Sequence, residues 1–94
     1  MSLRLAVLAS GRGSNFAALL EACADGRIAG RVVGLFSDKP GSGAVALANA
    51  SDVHAWAMKP NAFETREAFD AAMFDAIAAV QPDLIVCAGY MRII

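Results

Sequence analysis

The sequence predicts an α/β domain, one open parallel β-sheet with helices layered on both faces. Three observations carry that reading. Short runs that are apolar almost throughout alternate with segments whose apolar residues recur at helical spacing, and clusters of Gly, Pro, Asp and Asn separate the two kinds. Hydrophobic residues make up 57% of the 94 and charged ones 18%, which suffices for one compact core and is too apolar for a disordered chain. No apolar run approaches the roughly 18–20 residues that a membrane-spanning helix needs.

Leu3-Arg4-Leu5-Ala6-Val7-Leu8 reads as a strand buried on both faces. Ser10-Gly11-Arg12-Gly13-Ser14-Asn15 is the loop that ends it. Helical spacing follows, with Phe16, Leu19, Leu20 and Cys23 on one stripe and Asp25-Gly26 as the stop. Ser14 or Asn15 is expected to act as the N-cap of this first helix. Gly30-Arg31-Val32-Val33-Gly34-Leu35-Phe36 reads as a second strand, followed by the breaker-dense loop 37–43. A short Ala-rich helix over 44–50 precedes a third strand, Val53-His54-Ala55-Trp56-Ala57-Met58, which Lys59-Pro60-Asn61 breaks. The strongest helix runs from about Thr65 to Ala79, with Phe69, Met73, Ala76, Ile77 and Val80 on one face. After Gln81-Pro82-Asp83, the apolar run Leu84-Ile85-Val86-Cys87-Ala88 forms a fourth strand.

Right-handed crossovers place these strands in the order 3-2-1-4, a Rossmann-like three-layer arrangement with the sheet incomplete at the strand 4 edge. That edge carries no charge to blunt it, which makes it a pairing hazard. The reading that follows is a further C-terminal portion, or self-association through the strand 4 edge.

Composition narrows the function. The net charge of −1 provides no electrostatic footprint for nucleic acid or an anionic membrane, so an anionic ligand must be held by local geometry. The N-terminus has no signal-peptide pattern. Cys23 and Cys87 lack metal-ligand or redox spacing and read as free, buried thiols in a cytoplasmic protein; no metal site is expected.

In open parallel sheets, ligands collect at the carboxyl ends of the strands, near the point where strand order reverses. Here that point lies between strands 1 and 4, where loop 11–15 and the tail 89–94 would meet. Glycines at 11 and 13 allow close backbone approach, and the first turn of a helix offers unsatisfied N–H groups and a partial positive charge. The motif fits an anion, against the alternative of a tight turn with nothing bound. It is not a P-loop, because no Gly-Lys-Ser/Thr follows. It is a defective dinucleotide fingerprint, because Phe16 stands where a small residue belongs, although Asp38 stands where a ribose-binding acid would be.

At these residues the chain resembles the phosphoribosylglycinamide formyltransferase family. Ala9-Ser10-Gly11-Arg12-Gly13-Ser14-Asn15-Phe16 looks like the family's opening, Thr65-Arg66-Glu67-Ala68-Phe69-Asp70 like the start of its third helix, and Ala88-Gly89-Tyr90-Met91-Arg92-Ile93 like its mid-chain signature. The three matches lie in the right order across this chain and correspond to about the first half of the family's length. The resemblance implies transfer of a formyl group from 10-formyltetrahydrofolate to the amine of glycinamide ribonucleotide, in purine biosynthesis. It implies that Gly13, Ser14 and Asn15 bind the substrate phosphate, and that Arg66, Met91, Arg92, Ile93 and Ile94 contact the folate. Without it, Arg66 would read as a solvated surface residue, and Met91, Ile93 and Ile94 as core or interface. Ile94 stands where the family's usual residue is Leu. The family's catalytic Asn, His and Asp have no counterpart in these residues, so no catalytic residue is assigned; His54, Asp38, Asp52 and Asp83 are given no catalytic role. The 94 residues alone are expected to bind phosphate weakly at most. The rival readings are a formyltetrahydrofolate hydrolase, a non-catalytic Rossmann-like nucleotide-binding module, and a nicotinamide enzyme using Asp38.

Overall fold

The computed structural model describes residues 3–88. The elements are β1 (Leu3–Leu8), α1 (Ser14–Ala24), β2 (Gly30–Ser37), α2 (Gly43–Ala50), β3 (Ala55–Ala57), a 3-10 turn (Pro60–Ala62), α3 (Arg66–Ala79) and β4 (Leu84–Cys87). The four strands form one parallel sheet in the order β3-β2-β1-β4, as the alternation of elements predicts.

The period-2 alternation of β1 and β2 divides the core between the two faces of the sheet. Ala6, Leu8 and Phe36 point to one face and pack with Phe69, Met73 and Ile77 of α3. Val7, Ala9 and Leu35 point to the other and pack with Phe16 of α1 and Ala44 and Ala48 of α2. Phe69 anchors the first layer, with its ring 5.6 Å from Phe63 edge-on and 5.8 Å from Trp56. Gly34 leaves room for that layer: a Cβ there would stand 2.9 Å from the fully buried Phe36 ring. The β1–β2 register slips between Leu5 and Ala6, so that Leu5 faces Val32 and Ala6 faces Gly34.

Helix α3 opens on the cap its sequence suggests. The Thr65 hydroxyl accepts from the Ala68 amide at 3.0 Å, and Glu67 lies in the first turn. Its far end is tied to the sheet by Arg4, whose guanidinium donates to the carbonyls of Val80 at 2.7 Å and Gln81 at 3.0 Å. The Arg4 amide donates to the Asp83 carboxylate at 2.8 Å, and the Asp83 amide returns a bond to the Arg4 carbonyl at 2.7 Å. The β1–β4 pairing therefore begins with a clasp of four hydrogen bonds.

Three local expectations are corrected. Strand 3 is Ala55–Ala57 rather than 53–58, because the Val53 amide is already spent on the Ala48 carbonyl that closes α2. The N-cap of α1 is Gly13, not Ser14 or Asn15; Gly13 has φ +91°, a conformation glycine reaches without a Cβ penalty. The cysteines are free but not buried: Cys23 is half-buried, and Cys87 is exposed on β4, whose only sheet neighbour among the described residues is β1. Leu84 and Ile85 are likewise exposed on β4. His54, just before β3, is exposed, with its ring edge-on to Phe36 at 6.4 Å.

Candidate functional site

Helix α1 begins directly above the carboxyl end of β1. Gly13 in its left-handed conformation turns the chain so that Ser14 and Asn15 become the first two helical residues, and both are exposed. The amides of Ser14 and Asn15 have no intrahelical acceptor because of their place in the first turn. Among the described residues no hydrogen bond occupies them or the Gly13 amide, and no side chain caps the helix. No acidic side chain stands in the first turn to offset the positive end of the helix dipole. An anion at this end would meet unpaired main-chain donors together with the Ser14 hydroxyl and Asn15 amide.

Gly13 itself is buried, because the start of α2 lies against it. A Cβ at 13 would stand 2.9 Å from the Ala44 Cα, and a Cβ at Gly43 would overlap the Arg12 carbonyl oxygen. The Ala44 amide donates to the Gly11 carbonyl at 3.2 Å. Two glycines thus let the first loop and α2 touch backbone to backbone, which fixes the loop that presents Ser14 and Asn15.

The sequence reading misses a second feature. A cleft of about 640 Å³ borders the same loop and extends to the ends of β2 and β3. It is walled by the loop after β1 (Ser10, Gly11, Arg12), the loop after β2 (Asp38, Lys39, Pro40) and the turn after β3 (Lys59, Pro60, Asn61). At its base the Ser10 hydroxyl donates to Asp38 Oδ1 at 2.7 Å, with Ser10 1% and Asp38 7% exposed. The available signal was Asp38 at the end of a strand, but Lys39 and Lys59 lie far apart in sequence and only the sheet order brings them to one rim.

Arg66 is the first residue of α3 and is exposed. The other residues that the resemblance assigns to the folate, Met91, Arg92, Ile93 and Ile94, lie outside the described residues, as does the meeting of the first loop with the tail 89–94. Among the described residues no group of three or more His, Cys, Asp or Glu could hold a metal ion, and no helix is long and apolar enough to cross a membrane.

The sequence profile of a family described as formyl transferase matches residues 3–94. The chain is 35% identical over 92 residues to the phosphoribosylglycinamide formyltransferase of Escherichia coli K12, covering 98% of this chain and 43% of that protein. It is 43% identical over 91 residues to the Mycobacterium tuberculosis protein of the same name, covering 97% of this chain and 41% of the relative. The crystal structure of glycinamide ribonucleotide transformylase 1 from Geobacillus kaustophilus superposes with a TM-score of 0.94 at 36% identity, covering 100% of this chain and 50% of that one. The chain therefore spans half or less of the length of these relatives. With the profile matched along nearly all of its length, on the sheet order and first-loop geometry described above, the chain belongs to the formyl transferase family.

Proposed function

We propose that this chain is the N-terminal, phosphate-binding half of an enzyme that transfers a formyl group from 10-formyltetrahydrofolate to the amine of glycinamide ribonucleotide. The observation that carries this reading is the opening of α1, where unpaired main-chain donors, Ser14 and Asn15 lie exposed with no acid nearby in the first turn. The names of two relatives support it: the Escherichia coli and Mycobacterium tuberculosis proteins, each aligned over nearly all of this chain, are phosphoribosylglycinamide formyltransferases. A phosphate site also favours transfer to a ribonucleotide over hydrolysis of the folate, which needs none.

In this reaction the amine nitrogen attacks the formyl carbon, the bond from that carbon to folate N10 breaks, and the amine proton leaves with the departing tetrahydrofolate. The residues of this chain do no proton transfer in that scheme. Gly13, Ser14 and Asn15 hold the phosphate and so fix one end of the acceptor, turning an encounter into an oriented approach. Arg66, exposed at the start of α3, is the charged donor we assign to the folate carboxylates. Met91, Arg92, Ile93 and Ile94 complete that assignment as the wall against the folate ring. We assign the protein to the cytoplasm as part of the same reading.

The experiment is a comparison of acceptors in the full-length protein. Ser14→Ala with Asn15→Ala should raise the KM for glycinamide ribonucleotide roughly ten- to hundredfold, the range for losing hydrogen bonds to a charged group. The KM for the folate should hold. The same substitutions should leave the dephosphorylated acceptor unaffected; an equal loss on that acceptor would remove the phosphate assignment.

A further inference from the structure

The acceptor reading makes no use of the cleft on the β2–β3 side of the first loop. Its chemistry is mixed in an informative way. Asp38 is more than nine-tenths buried, yet among the described residues its carboxylate receives one hydrogen bond, from Ser10 to Oδ1. A carboxylate has about four lone-pair sites and is costly to bury under-coordinated. Asp38 lines the cleft, so the free oxygen is an acceptor within reach of a ligand's hydroxyl groups. Around it stand Arg12, Lys39 and Lys59, all exposed, so the wall has three cations against one acid. Pro40 and Pro60 add rigid apolar surface from opposite loops. A volume of about 640 Å³ is within the range of small-molecule sites.

Hydroxyl donors, an anionic group and a flat apolar face occur together in one class of ligand. The position matches as well: in doubly wound sheets an acid at the end of the second strand accepts from a ribose diol, and here Asp38 directly follows β2. We propose that this cleft binds a ribonucleoside 5′-monophosphate, separately from the acceptor phosphate at Ser14 and Asn15. The ribose diol donates to Asp38, the phosphate lies among Arg12, Lys39 and Lys59, and the base rests against Pro40 and Pro60. Such a site, lined by Ser10, Gly11 and Arg12 of the loop that leads to Ser14 and Asn15, would let a nucleotide act on that loop without occupying the acceptor site.

The test is calorimetric titration of the full-length protein with AMP. Saturable binding is expected, with 2′,3′-dideoxy-AMP at least tenfold weaker on the unaltered protein, which needs no substitution to read. Asp38→Asn keeps an oxygen for Ser10 but replaces the other acceptor with a donor. It should weaken AMP at least tenfold and abolish the preference over the dideoxy analogue, while glycinamide ribonucleotide binding is unchanged. Lys39→Ala with Lys59→Ala should weaken AMP and leave adenosine unaffected. Equal affinity for AMP and its dideoxy analogue would overturn the proposal. So would inorganic phosphate binding as tightly as AMP, or glycinamide ribonucleotide displacing AMP competitively. A protein that binds AMP but not glycinamide ribonucleotide would keep this site and remove the acceptor assignment instead.

Discussion

At the scale of single residues, two glycines decide geometry that no other side chain could supply. Gly13 is constrained twice, by a φ of +91° and by the Ala44 backbone 2.9 Å from where a Cβ would stand. Gly13→Ala should cost about 2–4 kcal/mol of stability, from left-handed strain plus a backbone that must give way. Denaturant unfolding of the full-length protein measures it, and a loss under about 0.5 kcal/mol, the range of a neutral surface change, would show that the loop yields easily. Gly34 has an ordinary φ but faces the Phe36 ring at 2.9 Å. Phe36 is wholly buried, so Gly34→Ala should destabilise by about 1–3 kcal/mol through overpacking. The companion Phe36→Leu change should relieve part of that cost in a double-mutant cycle, and strict additivity would rule out the clash.

At the scale of elements, the amphipathic stripe of α3 and the alternation of β1 put the layers in place, but one side chain joins them. Arg4 satisfies carbonyls at the end of α3 that the helix itself cannot, with a cation at the negative end of the dipole. Arg4→Ala should therefore cost about 1–2 kcal/mol, because the bond to Val80 is part-buried while the bond to Gln81 is exposed and screened by solvent. Arg4→Lys should recover little, because one ammonium cannot reproduce the fork that serves Val80 and Gln81 together. Thermal unfolding of the two variants separates these outcomes; full recovery by lysine would mean that charge alone suffices. The same strand pair leaves Leu84 and Ile85 exposed along β4, the apolar edge the sequence foretold.

At the scale of the whole molecule, the described residues present one sheet whose first loop leads into a helix terminus with no side-chain cap and also lines a cleft bordered by Arg12, Lys39 and Lys59. The reaction proposed above assigns no proton transfer to any described side chain. A polypeptide of these 94 residues should therefore show no formyl transfer above background when assayed free of full-length enzyme. Turnover from it would place catalytic groups within this chain and refute the division of labour proposed above.

What the sequence by itself determined is the order and kind of the strands and α-helices, the parallel sheet and the strand order, because apolar periodicity and right-handed crossover are local and general rules. It also made the family visible, since three short motifs stand in order along the chain. What only the tertiary structure decided is which residue caps α1, how long β3 runs and where the cleft lies. Each of these depends on contacts between segments far apart in the chain: Gly13 is pressed by Ala44, Val53 is taken by Ala48, and Asp38 is held by Ser10. A strand's length and a buried acid's partner are set by neighbours in space, and periodicity along the chain carries no record of them.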